Sequence, residues 1–265
     1  YATGGNNRAQ IQRVPQYTDC PVSGTVTPLS GWNGSWGGIL AVMCRNTMTI
    51  TGNINATSFG FRGGLGGSNR QTRQTGEGIY GYSPLPGPIA GNNGGGSSDC
   101  GGGWLGGAGG GHANQGEGGG KAGGTGSPSI GGYAAGTADL TTMVFGGGGG
   151  GGGYVYGEVG GTGGTGGGVI FIASANLVVA GSITNRGSNG GNGGSVGGYG
   201  NPAGGGAGGS TFLRVRTATL GSGLVTALQG SGGVRSGQTL VNGGAGSVGR
   251  IRIEYCESLS GSTNP

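Results

Sequence analysis

Residues 146–153 are eight consecutive glycines, and the Gly-Gly-Thr-Gly-Gly-Thr run of residues 160–165 follows closely. No other stretch constrains the fold as tightly. A glycine run has no side chain to bury, and glycine loses more backbone freedom on folding than any other residue, so the run is ordered only where neighbouring main chain holds it. The regular form open to it is the polyproline II helix, with three residues per turn and every amide pointing outward; several such helices side by side bond to one another through those amides. Eight residues in this form span about 25 Å. The glycine therefore reads as structural, a layer of polyglycine II helices against a small β framework.

Glycine makes up 80 of the 265 residues, a fraction that suggests collagen. With nine prolines and no sustained Gly-X-Y register, the collagen triple helix is excluded. A flexible linker is excluded too, because linkers are polar and charge-rich, whereas here charged residues are 8% and hydrophobic ones 32%, gathered into short strand-like runs. Ordering this much glycine opposes folding by on the order of 100 kcal/mol, and a hydrogen bond returns only ~1 kcal/mol net. Cross-links and burial against neighbouring copies are expected to help.

The apolar runs form units of strand, turn, strand and glycine-rich return. The first runs Ile39 to Met43, then Thr47 to Thr51, then Gly52 to Asn55, ending at Phe59-Gly60-Phe61-Arg62-Gly63-Gly64. The outline returns from Val169, from Thr211 and, truncated, from Val248 to Tyr255. The spacing from Val169 to Thr211 is 42 residues and from Thr211 to Ile251 is 40. Such a period points to stacked or radial units that cannot bury their apolar faces alone. Residues 169–173 are apolar on both faces and read as a central strand. Leu213, Val215, Ile251 and Ile253 alternate with Arg214, Arg216, Arg250 and Arg252, the pattern of a half-exposed sheet. The expected fold class is all-β with polyglycine II helices, a repeat-type β framework with almost no α-helix.

Four segments follow: an N-terminal arm (1–19), a disulfide-bearing loop with the first β unit (20–62), a polyglycine II region (63–168) and C-terminal β repeats with glycine-rich returns (169–265). In the arm, Arg8, Ala9, Gln10, Ile11, Gln12, Arg13 and Val14 alternate as an edge strand would, a candidate for addition to the sheet of another copy; a docked terminus is the other reading. Residues 21–38 carry the turn chemistry of a loop.

Cys20, Cys44, Cys100 and Cys256 are widely spaced with no C-x-x-C pair, so two disulfides in an oxidising, extracellular setting are expected. Of three pairings, Cys20 with Cys44 is favoured because it brackets a turn-rich segment, leaving Cys100 with Cys256. The chain begins at Tyr1 rather than Met, as a mature product or a fragment would. No apolar run approaches the ~20 residues of a membrane span. The net charge of +5 is scattered as a solvated surface, so no nucleic acid is expected as partner.

Candidates for chemistry are few. His112 is the sole histidine, which excludes a metal site of several imidazoles; a Ser-His-Asp set would have to use it with Asp99 or Asp139, and a surface histidine is the plainer reading. Glu77 and Glu117 sit in Gly-Glu-Gly contexts, as a glycosidase-like carboxylate pair or, more simply, as acceptors for glycine amides. The many Gly-x-Gly-x-x-Gly matches open no helix after a strand and carry no nucleotide signal. No catalytic residue, metal or cofactor is expected. Trp32, Trp36, Tyr80, Tyr82 and Trp104 are candidate contacts for a partner or glycan, or packing over glycine segments. Asn33 and Asn55 fit the glycan-acceptor pattern.

The ordered set Gly60-Phe61-Arg62-Gly63-Gly64, Gly76-Glu77-Gly78, Leu140 to Phe145 running into polyglycine, Gly181-Ser182-Ile183-Thr184 and Val248-Gly249-Arg250-Ile251-Arg252-Ile253-Glu254-Tyr255 resembles glycine-rich repeat proteins that bacteria export to their surfaces. It covers roughly residues 49–256. The resemblance implies an exported surface protein and brings no catalytic residues. In glycine content alone the chain also looks like the polyglycine-sandwich adhesins of phage tail-fibre tips and the glycine-rich domain of the anaplastic lymphoma kinase family of receptors. The function expected is a structural subunit of an extracellular filament or surface layer, self-assembling head to tail through edge strands or the arm; the alternative is an adhesin or glycan-binding tip using the aromatic loops. Other copies of the chain, and surface glycans, are the expected partners.

Overall fold

The computed structural model describes residues 10–68, 74–82, 92–98, 104–122, 126–194, 200–235 and 241–265. Its strands are β1 (Gln16–Tyr17), β2 (Cys20–Val22), β3 (Thr25–Val26), β4 (Ile39–Ile50), β5 (Asn53–Asn55), β6 (Trp104–Leu105), β7 (Lys121–Ala122), β8 (Val169–Val179), β9 (Ser182–Thr184), β10 (Ser210–Thr226), β11 (Arg250–Glu254) and β12 (Ser258–Asn264). Strands β6 and β7 form a small antiparallel pair, and the other strands join one ten-stranded sheet in which every ladder is parallel.

The sheet is a stack of rungs. β8 lies between β4 and β10, with Val169 opposite both Ile39 and Ser210. β1, β2 and β3 lie on the far side of β4 and β5, and β11 and β12 on the far side of β10. Five rungs result: β1–β3, β4–β5, β8–β9, β10, and β11–β12. The two-residue period holds on either side of a one-residue change of phase, so in β10 Thr211, Leu213 and Val215, then Ala218 and Leu220, are buried while Arg214 and Arg216 stay exposed. Stacking puts like on like: Met48, Leu177 and Ala218 form one inward column and Ile54, Ile183 and Val225 another, in the main core.

Each rung turns a corner at a glycine, and this curls the sheet into a half-barrel. A Cβ on Gly52 would lie 2.1 Å from the Gly24 carbonyl oxygen, and one on Gly181 1.9 Å from that of Gly52. Side chains there would force the rungs apart, so only glycine allows the column to stack and bend together.

All of residues 146–153 are buried. Gly147 and Gly150 donate to the carbonyls of Gly111 and Ala108, Gly148 and Gly151 to those of Glu77 and Gln74, and Gly149 and Gly152 to those of Gly164 and Gly161. Their carbonyls accept in the same three-residue rhythm, Gly147 and Gly150 from Ala207 and Gly204, Gly148 and Gly151 from Gly95 and Ser98, Gly149 and Gly152 from Gly64 and Gly67. The run is thus bonded to six extended segments, and main chain is packed on main chain. Phe145, just before it, meets Trp32 and Phe61 at ring separations of 5.3 and 5.2 Å, closing the junction between glycine layer and sheet.

These observations correct the expected fold class of a repeat-type β framework with polyglycine II helices. No helix occurs among the described residues, and the strands of all the expected units merge into one large parallel sheet. The strand-turn-strand units do not fold back: β4, β8 and β10 each run on through the expected turn, and their partners lie in other units. The physical reason is that the residues at the expected turns, such as Ser174 to Asn176, are accommodated within the strand or by a register shift, as between Cys44 and Thr47. Residues 21–38, expected as loop, hold part of β2 and all of β3.

Candidate functional site

The sheet ends in two unlike edges. At the first, β1, β2 and β3 are short and each pairs on one side only. The Cys20–Cys44 disulfide, with Cα atoms 6.1 Å apart, fastens this outermost rung to β4, as the spacing of the two cysteines suggested. Thr18 and Val22 carbonyls accept from Asn46 and Thr51 amides, so the two-residue period turns the main chain of Asp19 and Pro21 toward the open side. Pro21 has no N–H to offer there, a usual way of blunting an exposed edge.

Inside the curl at this end is a groove of about 470 Å³ whose floor includes Leu40, Met48 and Ile54 and whose rim includes Val26 and Leu29. Leu29 is 95% and Val26 42% exposed. The rim of the groove is therefore exposed, while Leu40, Met48 and Ile54 beneath it remain buried.

The opposite edge is β11 and β12. Ile251 and Ile253 are half-buried against the core, and Leu259 is 38% exposed. Arg250 donates to the carbonyls of Ala113 and Ala135, and Arg252 to that of Asp139 and to Glu254, tying β11 to the glycine layer. Cys256, between the two strands, is a free, exposed thiol. The expected Cys100–Cys256 disulfide is thereby corrected: the Cys256 sulfur has no bonded partner, and Cys100 lies outside the described residues. Strand β12 was not foreseen in the sequence, although the Gly261-Ser262 pair follows Gly221-Ser222 at an interval of 40 residues.

Of the arm, Arg8 and Ala9 lie outside the described residues. Residues 10–14 are not in a strand and dock on their own chain: Gln10 Oε1 accepts from the Gly37 amide and Gln12 Nε2 donates to the Ile39 carbonyl. Ile11, Gln12 and Arg13 are exposed, while Val14 is half-buried.

The aromatic candidates are dispersed. Trp32 and Tyr80 border a hollow of about 310 Å³ with Phe61 and Phe145, and Trp36, Tyr82 and Trp104 lie outside it. The guanidinium of Arg62 lies 5.3 Å from the Tyr82 ring and that of Arg235 4.8 Å from the Trp104 ring. Asn33 is exposed and its Oδ1 accepts from the amides of Ser35 and Trp36, whereas Asn55 belongs to β5 and accepts from Thr57 and Thr184.

Among the described residues, the histidine and carboxylates singled out in the sequence are each held by other groups. His112, expected at the surface, is fully buried, a second correction. Burial, with the nearby charge of Arg250, pushes its pKa down to about 4, so it is neutral at neutral pH. Its Nε2 lies 2.9 Å from Ser210 Oγ and 3.2 Å from the Val144 carbonyl oxygen. A carbonyl can only accept, so Nε2 carries the proton; the Ser210 hydroxyl donates to Val144 in turn, and Nδ1 is unpartnered. The histidine thus gives a proton where a catalytic base would take one. Asp139 is exposed, its carboxyl held low by hydrogen bonds from Thr137 and Thr141, and Asp99 lies outside the described residues. The Glu77 carboxylate is taken by the Arg62 main-chain amide and guanidinium, and that of Glu117 by the Ala245 amide.

No protein-family model, curated protein or solved structure matches the chain. No helix among the described residues is long and apolar enough to cross a membrane.

Proposed function

We propose that the chain is a structural subunit of an extracellular filament or surface layer, its copies joined head to tail through the edges of the sheet. One observation carries this reading: a sheet whose ladders are all parallel ends in two unlike, unpaired edges that run in the same direction. Such edges suit a heterologous contact, in which the last rung of one copy extends the first rung of the next, and a contact of that kind grows without closing unless its rotation makes a ring. The disulfide fits an oxidising compartment, in keeping with the resemblance to exported bacterial surface proteins. Between the two routes of assembly, edge pairing is favoured over arm exchange, because Gln10 and Gln12 are engaged by their own chain.

The hollow beside Trp32 and Tyr80 supports a second reading, a glycan-binding tip. Electron microscopy of the oxidised, purified protein separates the two. Fibres of uniform width that lengthen with concentration are the expected result, and dispersed particles at every concentration would defeat the filament reading.

A further inference from the structure

We infer, taking the head-to-tail reading as given, that the joint continues the sheet without a change of register: β11–β12 of one copy lies beside β1–β3 of the next, with Glu254 facing Gln16, Leu259 facing Cys20 and Thr263 facing Val26. The columns of the sheet define this pairing. Gln16, Met43, Ala173, Arg214 and Glu254 occupy one column, Cys20, Met48, Leu177, Ala218 and Leu259 a second, and Val26, Ile54, Ile183, Val225 and Thr263 a third. A slip of one residue at the joint would turn every apolar side chain to the wrong face.

The corner glycines point to the same pairing independently. A Cβ on Gly261 would lie 2.2 Å from the Gly221 carbonyl oxygen, one on Gly181 1.9 Å from that of Gly52, and one on Gly52 2.1 Å from that of Gly24. Each looks toward the preceding rung, which leaves no room for a side chain, and Gly261 has in addition a positive φ of 95° that itself favours glycine. In the β10 rung Gly221 and Gly223 are glycine through positive φ (67° and 66°) and do not look onto a neighbouring corner. Gly24, the first of the column, has nothing within 4 Å of its Cβ position. Nothing among the described residues of its own chain requires a glycine there. The Cβ direction of Gly24 leads out of the open edge to the place where Gly261 of another copy continues the column. The same placement sets Leu259 over the end of the apolar columns, where the groove of about 470 Å³ stands open above Met48 and Ile54. Pro21 leaves this joint one ladder hydrogen bond short, with strand pairing on both sides of it.

Gly24→Ala tests the register selectively. The expected outcome is a monomer with an unfolding midpoint unchanged or slightly raised and a critical concentration for fibres raised about tenfold or more, the effect of ~1.4 kcal/mol at the joint. Gly31→Ala, whose Cβ also meets nothing within 4 Å but which lies off the column, should assemble as the wild type does. A second pair of measurements stands apart from that variant. Gln16→Cys with Glu254→Cys, in a Cys256→Ser background, should give covalent multimers under oxidation, whereas Leu29→Cys in place of Gln16→Cys should not. The axial rise per copy should be ~24 Å, five rungs at the ~4.8 Å strand spacing. Wild-type fibres with a different rise, with no cross-link, or with no response to Gly24→Ala would overturn the register and leave the filament reading standing. Absence of wild-type fibres would overturn both.

Discussion

Replacing Gly148 by alanine should destabilise the protein severely although it adds one methyl group. The new Cβ would lie 2.0 Å from the Arg62 carbonyl oxygen and 2.5 Å from its carbon, where real Cβ contacts stop near 3.0 Å. The neighbour is main chain, itself hydrogen-bonded, so the segments must separate by at least 1 Å, the difference between 3.0 and 2.0 Å. At that displacement the bond from the Gly148 amide to Glu77 (3.0 Å) and that from Gly95 to the Gly148 carbonyl (2.9 Å) pass out of hydrogen-bond range. Each buried group left unpaired costs ~1–3 kcal/mol, so roughly 2–6 kcal/mol is lost at this residue alone. That is a large share of the ~5–15 kcal/mol by which proteins are folded. Gly31→Ala supplies the contrast: with open space around its Cβ it should be neutral or stabilise by up to ~1 kcal/mol, through the unfolded chain. Urea unfolding followed by circular dichroism measures both. If Gly148→Ala falls within ~0.5 kcal/mol of the wild type, close main-chain packing is not what holds the glycine layer, and the reasoning fails.

Other consequences can be measured on the same protein. Because His112 titrates at about 4 when folded and at 6.5 as its ordinary value, the folded state binds fewer protons between those limits. Stability is therefore full above pH 6.5, declines as pH falls toward 4 by up to ~3 kcal/mol, and receives no further loss from this group below that; a His112→Gln variant whose unfolding midpoint shows the same pH dependence would contradict the assignment. Replacing Cys20 and Cys44 by serine should lower stability by ~3 kcal/mol and speed amide exchange in β2 before the rest of the sheet, checked by mass spectrometry. Asn185 Nδ2 lies within hydrogen-bond range of Gly168 O, Ser210 O and Thr211 Oγ1, and its two hydrogens serve these acceptors, so Asn185→Leu removes the side-chain bonds that join them and should cost roughly 2–5 kcal/mol in chemical denaturation. A loss below ~1 kcal/mol would mean that water replaces the amide.

Several features were legible in the residues themselves. A run of eight glycines excludes helix propensity and side-chain burial, so only neighbouring main chain can order it. The alternation of Leu213 and Val215 with Arg214 and Arg216 assigns those residues to faces, and the closeness of Cys20 and Cys44 in the chain favours their disulfide. None of this names a partner strand. Side-chain periodicity reports which way a residue points and says nothing about which rung lies beside it, and β4 meets β8 across a separation of about 130 residues, set by the path of the glycine-rich returns. The burial of His112, the free thiol of Cys256 and the second edge at β12 likewise depend on where distant segments arrive. Local sequence thus determined that the chain would be β-rich with its glycines in close contact. The tertiary structure decided that its units merge into one parallel stack with two unlike ends, because that choice is a sum over many long-range main-chain bonds that no local pattern encodes.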